Sequence, residues 1–263
     1  MRQLVLPGDR AGDRRFVLDE KTSRYLLRVL RMGRGDSFSA LDEAGSRFLC
    51  TIEDASAAAA IVELAPEKDS AAYMPSIPSM ARIALVQGLP KGPKMDLILR
   101  QAVEAGAAAV FPLQTRNCVV RERNEKDIAE KLERRRKIVR EALQQSGSMV
   151  RTKILPTASI DTLAQALGDE GFPPENSLLL MFHELPIAEK SLHECCAGDP
   201  LPTVVLIGPE GGFAPEETEA FRAMGFQAVH FEGTILRTET AALFALAAVK
   251  TIMTERTSWT LSK

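Results

Sequence analysis

The sequence predicts an α/β protein: a mainly parallel sheet covered by helices, preceded by a small β-rich segment. Three observations predict it. Beyond about residue 80, short apolar runs of strand length alternate with longer amphipathic segments, as in a parallel sheet with crossover helices. Before that, four short strand-like runs surround one helical stretch and are separated by turn signals, the pattern of a small β-barrel. Between the two, residues 66–79 carry Pro66, Pro75 and Pro78 among small polar residues, as linkers do. The division therefore falls near residue 73, with a barrel over residues 1–72 and an α/β domain over residues 73–263.

The amino-terminal strands are expected at residues 15–18, 37–41, 47–52 and 60–64, punctuated by Gly33, Gly35 and the turn residues 42–45. Leu26, Leu27, Val29 and Leu30 give residues 23–32 a helical spacing. In the second part, residues 83–87 read as a buried strand. Pro93 stands where a helix starts, Met95, Ile98, Leu99, Ala102 and Val103 recur at helical spacing, and Gly106 ends the helix. Residues 109–113 return as a strand, completing a β-α-β unit. A long helix over residues 128–145 carries Lys131, Arg134, Arg135, Arg136, Lys137 and Arg140. Further core strands are expected at residues 178–182, 203–207 and 228–231, and Pro215 and Gly225 bracket a helix between the last two. A final helix is expected over residues 241–253, and its stretch 241–249 is apolar nearly all round. It is expected to be buried against the sheet and a second subunit.

Composition narrows the function classes. With 45% hydrophobic and 26% charged residues, the 263-residue chain can bury an ordinary globular core. No apolar run approaches the ~20 residues a membrane helix needs, and the opening residues are too weakly apolar for a secretory signal. Cys50, Cys118, Cys195 and Cys196 form no Cys-x-x-Cys pair, and there are three histidines, which argues against zinc and for a reducing cytoplasm. The net charge of −2 excludes a globally cationic nucleic-acid binder. Residues 1–36, however, hold nine basic against five acidic residues. That is enough for a local phosphate-attracting face, with a solvated Arg-rich surface as the plainer alternative.

Three loops stand at the carboxyl ends of predicted strands, where open α/β sheets bind ligands. The first begins at His183-Glu184. The second is Gly208-Pro209-Glu210-Gly211-Gly212-Phe213, whose glycines let a ligand lie against bare peptide groups. The third runs from Glu232 to Thr240. In it, Arg237 precedes a helix whose positive end disfavours an arginine, so it is expected to meet Glu239, Glu210 or a ligand. The hydroxyls of Thr238 and Thr240 are candidates to cap that helix. Common nucleotide motifs do not fit. Gly-x-Gly-x-x-Gly is absent, and residues 88–94 place Met95 where a phosphate loop needs Ser or Thr. No Gly-x-Ser-x-Gly elbow appears either.

The strings LIGPEGGF (residues 206–213), ILRTETAAL (235–243), LPKGPKMD (89–96) and RVLRMGRGD (28–36) together closely resemble the small-subunit ribosomal RNA (uracil-N3)-methyltransferases, knotted enzymes of the SPOUT class. The resemblance covers nearly the whole chain. It implies a PUA-like RNA-binding barrel, a methyltransferase domain with a carboxy-terminal trefoil knot, a cytoplasmic homodimer, and S-adenosylmethionine as methyl donor. By position, Phe182, His183, Ile207, Gly208, Gly211, Gly212, Ile235, Leu236, Arg237 and Thr240 are the implied cofactor cradle. Arg237 is also the candidate catalytic charge, and no metal is implied. Arg28, Arg31, Lys91 and Lys94 are the candidates for gripping 16S ribosomal RNA or the small ribosomal subunit.

The chain departs from the family pattern at residues 148–150, at Arg116-Asn117, and at Ala214, a helix N-cap where Ser is usual. Methylation at uracil N3 requires the base to be unpaired or flipped out and its imide proton lost. Glu210, Glu239 or bulk water are alternative acceptors. Two other readings stand beside this one: a SPOUT enzyme acting on another RNA position, and a non-catalytic PUA-type RNA-binding protein.

Overall fold

The computed structural model describes residues 3–67, 82–199 and 201–255. The expected boundary near residue 73 lies outside them. The chain forms two compact units: one holds the residues up to Ser76 together with Leu143–Arg151, the other Ile77–Ala142 and Thr152–Lys263.

The first unit contains β1 (Leu4–Val5), β2 (Arg15–Val17), α1 (Glu20–Arg24), β3 (Ser37–Leu41), β4 (Arg47–Asp54) and β5 (Ile61–Pro66). They form one sheet in the order β1-β3-β4-β5-β2, antiparallel except for the β1–β3 pair. Alternation along β4 explains its two faces: Phe48, Cys50 and Ile52 are buried while Leu49 is exposed. Leu6, Leu18, Leu26 and Val62 complete that core. The expected helix begins three residues early, because Asp19 caps it by accepting the Thr22 N–H at 2.9 Å. It then loosens into a π turn at Tyr25–Val29 and ends in a left-handed Arg31 at φ 57°. Gln3 holds the segment Leu143–Arg151 to this unit, its amide donating to Leu143 O at 2.9 Å and Ser148 O at 3.0 Å.

The second unit comprises β6 (Ile83–Gly88), α2 (Lys94–Ala105), β7 (Ala109–Leu113), α3 (Glu125–Ser146, its last turn belonging to the first unit), β8 (Lys153–Ile154), α4 (Ile160–Asp169), β9 (Leu178–Phe182), α5 (Leu192–Cys195), β10 (Thr203–Ile207), α6 (Pro215–Ala223), β11 (Gln227–Val229) and α7 (Thr238–Glu255). The sheet order is β11-β9-β10-β6-β7-β8 and every pairing is parallel. β6, β7 and β10 are buried along their whole length, as a sheet covered on both faces requires. Gly106 ends α2 with φ 78°.

α7 lies against the sheet as expected, and begins three residues before its expected start at residue 241. Ala242, Ala245, Leu246 and Val249 are buried, and the helix packs on α2, β6 and β10, but Leu243 and Phe244 are 38% and 50% exposed. Only one face of an apolar cylinder meets this chain. No described helix is long and apolar enough to cross a membrane.

Candidate functional site

Parallel register aligns three strand ends. Phe182 of β9 pairs with Ile207 of β10 on one side and Val229 of β11 on the other, so the chains leaving these strands emerge side by side. They enclose a cavity of about 560 Å3, within the range of small-molecule sites. Phe182, His183, Ile207, Gly208, Gly211 and Gly212 line it, and so do Ile235, Leu236 and Arg237. Thr240 does not: Thr238 and Ala241 line the pocket from one face of α7, and the helical turn carries the exposed Thr240 away from them.

The glycine loop is fixed from several directions. Thr238 does not cap α7 with its hydroxyl. Instead the hydroxyl donates to Gly208 O at 2.7 Å and accepts from the fully buried Gln87 Nε2 at 2.9 Å. Asn117 Nδ2 donates to Gly211 O at 2.9 Å and Gly212 O at 3.3 Å. Ala214 indeed gives α6 no side-chain cap, but half of a capping box remains. The Glu217 carboxylate accepts the Ala214 N–H at 2.9 Å and the Arg116 N–H at 2.6 Å.

Two glycines meet real constraints. A Cβ on Gly88 would lie 2.5 Å from Pro209 Cδ and 2.6 Å from its nitrogen, so β6 touches the loop backbone directly. Gly212 sits at φ 63°, and a Cβ there would come within 2.3 Å of Glu184 Oε1.

The first loop is held by His183. Its N–H donates to Val229 O at 2.9 Å, its Nδ1 accepts the Leu185 N–H at 3.0 Å, and its carbonyl accepts from His230 Nδ1 at 3.0 Å. An accepting Nδ1 places the proton of the neutral ring on Nε2. Phe182 and Phe231 stack at 4.9 Å, giving the cavity an aromatic wall.

The charges are arranged differently from the sequence expectation. Neither Glu210 nor Glu239 pairs with Arg237; among the described residues Arg237, exposed at the pocket wall, has no ion-pair partner. Both acids engage Lys94, whose Nζ lies 3.0 Å from Glu210 Oε1 and 3.2 Å from Glu239 Oε2. The backbone N–H of Lys91 reaches both oxygens of Glu210, at 3.1 and 3.2 Å. Burial pushes the Glu210 carboxyl up, but the bonds from Lys94 and the Lys91 N–H outweigh it and hold it below its ordinary value. The bonds to Glu210 and Glu239 hold Lys94 above its own.

Lys94 is thus a pocket residue, whereas Lys91, Arg28 and Arg31 are exposed. Sequence reasoning missed Asn117, Gln87, Gly88 and Glu184. Their partners lie far along the chain, and only the position of Gly88 at a strand end hinted at a close approach.

Residues 78–250 match the family model of an RNA methyltransferase domain, and residues 18–65 that of an RNA methyltransferase PUA domain. Over 252 residues the chain is 31% identical to the ribosomal RNA small subunit methyltransferase E of Synechocystis sp., covering 95% of this chain and 78% of that one. The enzyme of the same name from Bacillus subtilis is 25% identical over 241 residues, 89% of each chain. The crystal structure of the Neisseria gonorrhoeae ribosomal RNA small subunit methyltransferase E, bound to S-adenosyl methionine, is 28% identical. It superposes with a TM-score of 0.74 over 96% of this chain and 98% of that one. Matched along both units and in the fold of its parallel sheet, the chain belongs to the ribosomal RNA small subunit methyltransferase E family of RNA methyltransferases.

Proposed function

We propose that the protein methylates N3 of a uridine in 16S ribosomal RNA, using S-adenosylmethionine bound in the pocket at the ends of β9, β10 and β11. The observation that carries this reading is the meeting of three loops around one cavity, in a chain of this family. The residues present fit the cofactor. Gly208, Gly211 and Gly212 offer bare backbone, and Phe182, Ile207 and Leu236 offer apolar walls for a flat base. Glu184 and Glu210 offer carboxylates to a cationic, hydroxyl-bearing ligand. When bound, the cofactor supplies an activated methyl group: uracil N3 gives its proton to solvent, its electron pair forms the N–CH3 bond, and the carbon–sulfur pair stays on sulfur. Arg237, exposed at the pocket wall without an ionic partner, supplies positive charge to a uracil oxygen as that proton leaves.

The domain assignment follows the same reading: residues 1–72 as a PUA-like RNA-binding unit, with Arg28 and Arg31 toward phosphates, and residues 73–263 as the SPOUT methyltransferase domain with a carboxy-terminal trefoil knot. Lys91 belongs with the phosphate contacts. The half-exposed Phe244 and its neighbour Leu243 on α7 support a homodimer, since an apolar face of that kind is covered in a stable assembly. Action on ribosomal RNA supports a cytoplasmic location.

The test is mass spectrometry of 16S ribosomal RNA from a strain lacking the gene, in which 3-methyluridine is expected to disappear. Persistence of that nucleoside at its normal level refutes the substrate. Arg237→Ala is expected to lose about 100-fold in methyl transfer, with an unchanged melting temperature. Unaltered turnover removes the residue from the mechanism.

A further inference from the structure

We propose that Lys94 is a second catalytic cation: oriented by Glu239, its ammonium takes one carbonyl oxygen of the target uracil while Arg237 takes the other. The inference rests on the uracil-N3 reading and deepens it. Lys94 and Glu210 line the pocket, whereas Glu239 does not. Glu239 is mostly buried, with 15% of its side chain exposed, and its Oε2 has no hydrogen-bond partner of good geometry, so the ammonium 3.2 Å away is what offsets its burial. Glu239 therefore stands behind Lys94 and fixes where it points. Glu210, anchored by the Lys91 N–H, fixes it from the side.

An ammonium has three N–H donors. Ion-pair contacts to two carboxylates leave at least one of these donors for a ligand. Its raised pKa keeps Lys94 charged at neutral pH.

A uracil carbonyl carries no formal charge before reaction. Uracil N3 lies between two carbonyl groups, and loss of its proton spreads negative charge onto both oxygens. A cation held beside each oxygen interacts more strongly with that state than with the neutral base, and such differential binding accelerates a reaction. Among the described residues, Arg237 and Lys94 are the arginine and lysine side chains of the cavity wall.

The experiment uses the full-length enzyme and small ribosomal subunits from a strain lacking its gene, grown with or without 5-fluorouracil. Fluorouridine has a more acidic N3 proton, so its anion needs less stabilisation. Lys94→Met is expected to slow single-turnover methylation of uridine subunits about 100-fold, while calorimetric affinity for S-adenosylmethionine stays within twofold of wild type. On fluorouridine subunits the deficit is expected to shrink at least tenfold. Lys94→Arg, which keeps the charge, is expected to retain most of the rate. Lys94→Gln repeats the comparison should the Met variant not fold. Equal deficits on both substrates, or a parallel loss of cofactor affinity, overturn the assignment and make Lys94 a strut between loops. Failure of the wild type to form 3-methyluridine on either substrate overturns the uracil-N3 reading itself, and the Lys94 assignment with it.

Discussion

Replacing Thr238 by Val removes a hydroxyl and little else, so its cost is set by hydrogen bonds. The hydroxyl donates to Gly208 O at 2.7 Å and accepts from Gln87 Nε2 at 2.9 Å. Thr238 is 6% exposed and Gln87 fully buried, so water does not replace either bond. Gln87 Nε2 keeps Gly88 O at 2.9 Å and is not orphaned, but Gly208 O is left with a long 3.4 Å contact from the same amide. Each lost bond is worth about 1 kcal/mol net, and an under-satisfied buried carbonyl adds to that, for a sum of about 2–3 kcal/mol. At about 2–4 °C per kcal/mol for a domain of this size, melting should fall by roughly 5–10 °C. Thr240→Val is the control: exposed and outside the pocket, it should change stability by less than about 0.5 kcal/mol. Differential scanning calorimetry of both variants reads the difference. S-adenosylmethionine affinity should fall in the Thr238 variant as well, because the carbonyl it releases belongs to the glycine loop. Equal melting temperatures for wild type and Thr238→Val would refute the claim that this hydroxyl pins the loop.

Gly88→Ala forces a methyl group against the backbone of Pro209, which must shift. The expected result is about 1–3 kcal/mol of lost stability and weakened cofactor binding by calorimetry, and wild-type affinity in the variant would show that the loop had room. Asp19→Ala removes the cap of α1 and should cost about 1 kcal/mol. The bond from the Thr22 N–H holds the Asp19 carboxyl below its ordinary 3.8, so its stabilisation is complete above that pH and is lost as pH falls through the lower folded value. The gap in melting temperature between wild type and variant should therefore close in acid; a gap that stays constant counts against the cap.

Legibility in the sequence followed the range of the interactions. β7, β9 and β10 carry continuous apolar runs with clear ends, and the expected bounds coincide with the observed ones. Two of the three loops follow such strands; the third follows β11, expected at residues 228–231 and observed at Gln227–Val229. β8, two residues long, has no pattern to read. α4 did leave a signal that the reading passed over: Ser159 and Thr162 form a capping box, and Leu163 and Leu167 lie one turn apart. The π turn after α1 was invisible, since an added residue per turn changes no composition. Charge pairing was the least legible. A sequence near Arg237 suggests Glu239 as its partner, yet the acid is taken by Lys94, which stands 145 residues away and reaches it because α2 packs on α7.

That last mismatch reflects how labour is divided across the sheet. The cavity wall comes chiefly from the loops after β9, β10 and β11, late in the chain, and the last two of these carry two of the four strings by which the family is recognised. What holds them in shape comes from the first β-α-β unit and the loop after it. Gln87 ties Thr238 to Gly208, Gly88 abuts Pro209, and Asn117 holds two glycine carbonyls. β6 can brace the pocket because it pairs with β10 along five residues, Thr203↔Ile83 to Ile207↔Gln87, which brings the two strand ends level. A single-residue slip in that pairing would move Gln87 out of reach of Gly208 and reverse which face its side chain occupies. The pocket loops therefore cannot hold their shape independently of β6. Substitutions at Gln87, Gly88 and Asn117 should be read as changes to the site, although these braces stand outside the cavity wall.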